Sequence, residues 1–506
     1  MTRFSALLSA SMLALLAGCA VGPNYHTPAA PNTNSYGEKP TPAETSSADH
    51  PHGAAQKFAN GADVQAEWWT LFHSEPLNKM ITEALAANPD LAAAQAALHV
   101  AQENTAAGEG ILFPTVVGNF STTRQKTSGA AAGGQFPGTL YTLHNASVNV
   151  TYGLDLWGAS RREVEELSAQ EDYQRFQLEA AYLTLTGNIV TAAIQEASLR
   201  GQIEATKTIV EDEEKQLQTV QTQFDLGAVN KAAVLSQQAN LQQTRATLPG
   251  LESRLEQTRH LLSVLTGKPP SDAPAATFDF ASLQLPDSLP VTIPSKLVEQ
   301  RPDIRAADSE LHAASASIGV AEANRLPQIT LSAGMGTEAI SLDKLFTPGS
   351  GIWSAGFGVA QTIFDGGTLA HQQGAAEASY DQAAALYKKT VLGAFQDVAD
   401  TLRALEADAD TLKAEVIAEQ SASENLAITQ EQYKDGAISY INLLSAEQLE
   451  QQAKLALVQA EAQRYADTAA LFQSLGGGWW NRTKDQTDKI LDENGRKSSG
   501  LGFIFP

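Results

Sequence analysis

The sequence predicts a mainly α fold with a small β part, built from one unit of long coiled-coil helices and paired strands that is present twice. Three observations carry this. Asn88-Pro89-Asp90-Leu91, Leu98-His99 and Phe113-Pro114 recur as Arg301-Pro302-Asp303-Ile304, Leu311-His312 and Leu326-Pro327, all at one offset of 213. Residues 159–224 contain no proline, and roughly 66 residues at ~1.5 Å each could form a helix about 100 Å long. Between the proline stops and the long helices lie segments whose apolar residues alternate with period two.

Composition narrows the classes. A chain of 506 residues exceeds one compact core, since single cores stop growing near ~250–300 residues. Apolar residues make up 43% and charged ones 18%, which excludes a disordered tail. The 57 acidic against 34 basic residues give a formal charge of −23, so phosphate backbones repel the chain and no nucleic acid is expected as a partner. The single cysteine, Cys19, excludes an intrachain disulfide and a Cys-rich metal site. Beyond the N-terminus no run of about 18 apolar residues could serve as a membrane helix.

Element by element, Arg3 and the apolar stretch Phe4 to Ala17 read as a signal peptide, residues 1–18. Its end, Leu16-Ala17-Gly18-Cys19, resembles the lipobox of bacterial lipoproteins, which implies an acylated Cys19 as mature N-terminus. Residues 19–60 carry Pro23, Pro28, Pro31, Pro40, Pro42 and Pro51, which forbid regular helix and predict an extended tether. Ordered structure is expected to begin near Trp68-Trp69.

The first repeat is placed at 61–267. It holds a helix over 90–112, stopped by Pro114, then strands at about 115–124 and 145–157, and a helical tip at about 224–230. Val234, Leu241, Leu248, Leu255 and Leu262 fall every seventh residue, a coiled-coil seam, with Pro249-Gly250 expected to kink or break it. A linker follows at 268–300. The second repeat, 301–477, holds a helix over 303–325, strands at about 328–336 and 352–364, and a tip at about 433–439; residues 478–506 form a tail. Gly227 and Gly436 interrupt uniform helical composition where a hairpin must reverse. Along the strands, Val148, Val150, Tyr152 and Leu154 alternate with Ser147, Asn149, Thr151 and Gly153, and Trp353, Phe357 and Val359 with Ser354, Gly356 and Gly358. Two hairpins cannot close a barrel and lipid tolerates no open sheet edge, so such strands need partners from other chains.

Together, the lipobox with Gly22-Pro23-Asn24-Tyr25, Trp68-Trp69 with Phe72, the paired Pro-Asp helix starts, the glycine tips and Leu475-Gly476-Gly477-Gly478-Trp479 resemble the TolC-like outer-membrane efflux family, in its lipoprotein branch. The resemblance implies a homotrimer whose twelve strands close one outer-membrane β-barrel in lipid, above a long periplasmic α-barrel with a linker belt. It implies an exit duct for drugs or other small toxic molecules. Its partners would be a periplasmic membrane-fusion (adaptor) protein and an inner-membrane efflux pump of RND type. Asp225, Leu226, Gly227 and Ala228, with Tyr433, Asp435, Gly436 and Ala437, are then the adaptor-docking tips. Relatives often place a carboxylate where Ser445 stands here, so Ile441, Leu444 and Ser445 are the candidate aperture gate, closing by dewetting.

An enzyme is not expected. The nine histidines form no metal-ligand spacing, Gly-x-Ser-x-Gly is absent, and no cofactor is implied. Glu211-Asp212-Glu213-Glu214 reads as a solvated helix face rather than a cation site. Two other uses of such a chain stand beside small-molecule efflux. One is the exit duct of a type I protein secretion system; the other is a non-conducting coiled-coil surface spacer, against which the apolar-faced strands argue.

Overall fold

The computed structural model describes residues 20–487 except 34, 129–137, 273–275 and 485. The signal peptide, Cys19 and most of the tail lie outside the described residues. The order along the chain is β1 (Lys57–Asn60), α1 (Glu75–Ala87), α2 (Pro89–Glu109), β2 (Thr115–Lys126), β3 (Leu140–Leu154), α3 (Ala159–Asp225) and α4 (Lys231–Leu265). It continues with β4 (Ser288–Val291), α5 (Pro294–Gln300), α6 (Pro302–Ala323), β5 (Gln328–Ala339), β6 (Gly351–Ala360), α7 (Thr368–Lys434) and α8 (Tyr440–Ser474). The duplication is exact in element length where it matters most: α3 and α7 have 67 residues each, α4 and α8 have 35 each.

The chain divides into two compact units. One gathers the described parts of residues 1–28, 98–174 and 306–388, and contains a four-stranded antiparallel sheet ordered β2-β3-β5-β6. The register sets Val150 opposite Val116 and Ala333, Val148 opposite Met335, Tyr152 opposite Leu331, and Leu331 opposite Phe357. Directly opposed residues share a face, so these side chains form one apolar surface. Asn119, Ser147, Asn149, Thr151, Ser332 and Ser354 fall on the other, polar one. No core covers the apolar face: Trp353 is 82% and Phe357 77% exposed.

Strand ends differ from the sequence expectation for local reasons. β3 starts at Leu140 and stops at Leu154 because Asp155 turns to cap α3, accepting from the Ser160 and Arg161 amides at 3.2 and 3.1 Å. β6 stops at Ala360 because its partner β5 begins at Gln328, just after Pro327, leaving residues 361–364 no ladder to join.

The other unit gathers the described parts of residues 29–97, 175–305 and 389–506. Its core holds Trp68, Phe72, Leu77, Ile81 and Phe472, with Trp68 stacked on Phe472 at 5.4 Å. Ordered structure starts earlier than Trp68. Proline bars helix in the tether but not strand pairing, and β1 pairs in parallel with β4 of the linker. Thr45 N donates to Gln56 O at 2.9 Å, and the fold of this segment is held by Arg464 on α8. That guanidinium, 1% exposed, donates to His52 O at 3.1 Å, Gln56 Oε1 at 3.3 Å, Thr45 Oγ1 at 3.4 Å and Ala54 O.

The seam on α4 is buried at Val234, Leu241 and Leu262 and half-buried at Leu248 and Leu255. The helix is not broken at Pro249-Gly250. Both residues are exposed, so the Arg245 carbonyl that loses its amide partner can turn to water. Among the described residues no helix is long and apolar enough to cross a membrane.

Candidate functional site

Both helical tips are built the same way. After α3, Gly227 N donates to Phe224 O at 2.9 Å and Ala228 N to Gln223 O at 2.8 Å. After α7, Gly436 N donates to Tyr433 O at 3.0 Å and Ala437 N to Gln432 O at 2.9 Å. This paired pattern is the Schellman ending, which requires a left-handed residue. Gly227 has φ +77° and Gly436 φ +70°. A Cβ at either would meet nothing within 4 Å, so glycine is needed there for backbone conformation and not for space. Asn230 then caps α4 through its side chain, accepting from Ala233 N at 3.1 Å.

Asp225, Leu226, Gly227, Ala228, Asp435, Gly436 and Ala437 are exposed, Leu226 to 80%. Tyr433 is half-buried and does different work: its hydroxyl donates to Gln223 Oε1 at 2.7 Å, joining the end of α7 to the end of α3. Tyr440 packs edge-on against Tyr433 at 5.8 Å and bonds Gln237. Gln448 Nε2 donates to Asn240 Oδ1 at 3.2 Å, and Lys231 lies over the Phe224 ring at 5.3 Å. These links bring the two tips side by side.

Of the aperture candidates, Ile441 and Ser445 are exposed, and Ser445 Oγ donates to Ile441 O at 2.9 Å. Leu444 is buried. Sequence reading missed Gln223, Gln237, Asn240 and Tyr440. For Gln237 and Asn240 the available signal was an amide at or beside a seam position of α4, where a coiled coil otherwise places apolar residues; Gln223 and Tyr440 carried none.

The acidic run on α3 does not form a uniform solvated face. Glu211, Asp212 and Glu214 are exposed, but Glu213 points inward at 3% exposure. Its Oε1 accepts from Asn240 Nδ2 at 2.6 Å, Thr244 Oγ1 at 3.0 Å and Gln451 Nε2. The helical period places one residue of any such run on the packed side.

Cys19 lies outside the described residues, but the chain just after it is firmly seated. Val21 N donates to Trp157 O at 2.9 Å. Arg162 reaches Val21 O at 3.2 Å, Gly22 O at 3.4 Å and Asn24 Oδ1 at 2.8 Å. Tyr25 stacks on His312 at 4.4 Å and bonds Asp308, while His312 Nε2 meets Glu165 at 3.0 Å. Gly22 has φ +89°, and a Cβ there would sit 2.4 Å from Gly319 Cα. The Gly22-Pro23-Asn24-Tyr25 motif is thus a clamp that starts three residues after Cys19.

An uncovered sheet with one apolar face and a pair of docked helical tips define a membrane-channel subunit, and comparison with known proteins agrees. The family model for outer membrane efflux proteins matches residues 80–268 and 293–477, and the chain belongs to that family. It is 28% identical over 422 residues to the pyoverdine export outer membrane protein OpmQ of Pseudomonas putida, covering 81% of this chain and 88% of that protein. To the cation efflux system protein CusC of Escherichia coli it is 27% identical over 475 residues, covering 92% and 96%. The solved outer-membrane channel OprN matches with a TM-score of 0.82 at 26% identity, covering 91% of this chain and all of that one. The protein is an outer-membrane efflux channel, of a transport family rather than a catalytic one.

Proposed function

We propose that this chain is the passive exit duct of a tripartite efflux system, a homotrimer whose four strands per chain close a twelve-stranded barrel in outer-membrane lipid. The observation that carries this reading is the β2-β3-β5-β6 sheet, apolar on one face, polar on the other, and without a core over either. In a closed barrel the apolar face meets lipid and the polar one lines water. The tips are the docking end for a periplasmic adaptor protein that joins the duct to an RND-type inner-membrane pump. Ile441 and Ser445, both exposed, line the aperture, while Leu444 is buried within the chain. The chain has no catalytic role and needs no cofactor. OpmQ is named for pyoverdine export and CusC for cation efflux, so relatives of about equal identity are named for different cargo. Small toxic molecules are the class proposed here.

Susceptibility of a deletion strain to a panel of antibiotics, dyes and metal salts, with and without candidate pump genes, tests the reading. Sensitivity should rise on deletion, and no further when the cognate pump is also removed. An unchanged profile against the whole panel would count against efflux of small molecules. Cys19 is proposed to be acylated, and fatty-acid label should be lost in Cys19→Ser while the barrel still inserts. Label that persists on that variant would exclude Cys19 as the attachment point.

A further inference from the structure

His52 on the tether, Glu461 and Tyr465 on α8, and the Leu283 carbonyl of the linker form one chain of polar contacts. Tyr465 Oη, on a fully buried side chain, lies 2.9 Å from Leu283 O and 2.8 Å from His52 Nδ1. The other ring nitrogen, Nε2, lies 3.3 Å from Glu461 Oε1. Leu283 and Glu461 are buried too, at 1% and 6% exposure.

Counting hydrogens limits how this chain can be wired. A carbonyl only accepts, and a hydroxyl has one hydrogen to give. When Tyr465 donates to Leu283 O, the hydrogen between Tyr465 and the imidazole comes from Nδ1. Nε2 of the neutral ring is then an acceptor, which Glu461 meets favourably only as the protonated acid. When Glu461 is a carboxylate, Nε2 must carry the hydrogen instead. Nδ1 then accepts from the Tyr465 hydroxyl, and Leu283 O is left without a donor. The surroundings support the first wiring up to neutrality. Burial, with His50 nearby, holds His52 below the ordinary imidazole range, and burial pushes Glu461 up to about 7. Arg464 on α8 donates to the His52 carbonyl at 3.1 Å, Asp408 on α7 acts on Arg464, and Glu419 on α7 acts on His50. From the linker the ring meets Phe280, at 6.2 Å.

We propose that Glu461, His52 and Tyr465 are a proton switch that moves one hydrogen bond of α8 between the linker and the tether. Loss of one proton from Glu461 to solvent shifts the ring hydrogen from Nδ1 to Nε2 and turns the Tyr465 hydroxyl from Leu283 to His52. Below neutrality α8 holds the linker through Tyr465. Above it α8 holds the tether instead, and the linker loosens around Leu283, because a buried carbonyl without a donor is disfavoured.

Nitrogen NMR of the histidine-labelled full-length protein in lipid nanodiscs, from about pH 6.5 to about 8.5, tests the switch. The His52 signal is assigned by its loss in His52→Gln. The neutral Nδ1–H tautomer is expected at the lower end and Nε2–H at the upper, crossing near pH 7. The Gln284 amide donates to Phe72 O at 2.9 Å. Its protection from hydrogen exchange, corrected for the intrinsic effect of pH, should fall about fivefold over the same range. Tyr465→Phe should abolish that fall, and Glu461→Gln should hold His52 in one state at every pH. If neither variant assembles, the tautomer and exchange series on the unmodified protein decide alone. A tautomer that never changes, a ring doubly protonated at the lower end, or a swap that persists in Glu461→Gln would each overturn the switch. Unchanged Gln284 protection across the swap, or a fall that survives Tyr465→Phe, would overturn the transfer from the linker.

Discussion

Arg464 shows how one residue organises a segment more than four hundred positions away in sequence. Its donors hold the tether between Thr45 and Gln56, and beside it Asp408 faces Asp467. Burial and a proton shared with Asp467 push the Asp408 carboxyl well above its ordinary value, against the opposing pull of Arg464. Glu461, which meets His52 Nε2 at 3.3 Å, is likewise pushed up to about 7 by burial. The sign follows from proton counting. The folded chain keeps protons that the unfolded chain releases once pH passes the ordinary carboxylate range, so stability falls as pH rises from there to neutrality. Thermal midpoints should decline over that window, and Asp408→Asn should flatten the decline; the same slope in the variant would mean the proton is not held there. None of this was legible in the sequence, because an Arg inside a helix announces a surface until its distant acceptors are known. Glu213 hid similarly, as one inward residue within an acidic run.

At the level of elements, the tips and strands were the most readable parts, because turn chemistry and period-two patterns are local. Glycine marked both hairpin reversals, and Pro114 and Pro327 marked the helix-to-strand changes. What stayed hidden was how far each strand runs, which depends on its neighbour: β6 ends where β5 begins. The Schellman geometry gives the second tip a specific test. A β-branched residue at Gly436, φ +70°, should strain the turn by about 1–3 kcal/mol. Helices of 67 and 35 residues absorb that without losing the fold. Gly436→Val should therefore assemble normally but crosslink less to the adaptor and lower drug resistance; full crosslinking and resistance in that variant would remove the docking role of the tip. On the sheet, Phe357→Arg sets a charge on the apolar face and should cost roughly 2–4 kcal/mol near a bilayer centre. Ser354→Lys, on the polar face, should be tolerated. Comparable yields of heat-stable oligomer for both variants would show that the apolar face does not meet lipid.

At the scale of the whole molecule, the duplication was visible from three short markers at one offset, while the partnership it demands follows from physics rather than pattern. Among the described residues β2 and β6 each pair on one side only, so a single chain presents two rows of free amides and carbonyls. In water such edges are hazardous; in hydrocarbon each orphan group costs several kcal/mol. Ten to twelve residues per edge strand make that penalty larger than the stability of most domains. Closure with other copies removes it, and each copy supplies four strands, so three give twelve, an even-numbered ring within the range that membrane barrels use. The assembly should thus be obligate. Light scattering of detergent-solubilised protein should give three times the chain mass plus micelle at every concentration, with dissociation only on unfolding of the sheet. A stable monomer that still conducts ions across a planar bilayer would contradict this, because four strands alone leave no route for water that lipid does not also touch.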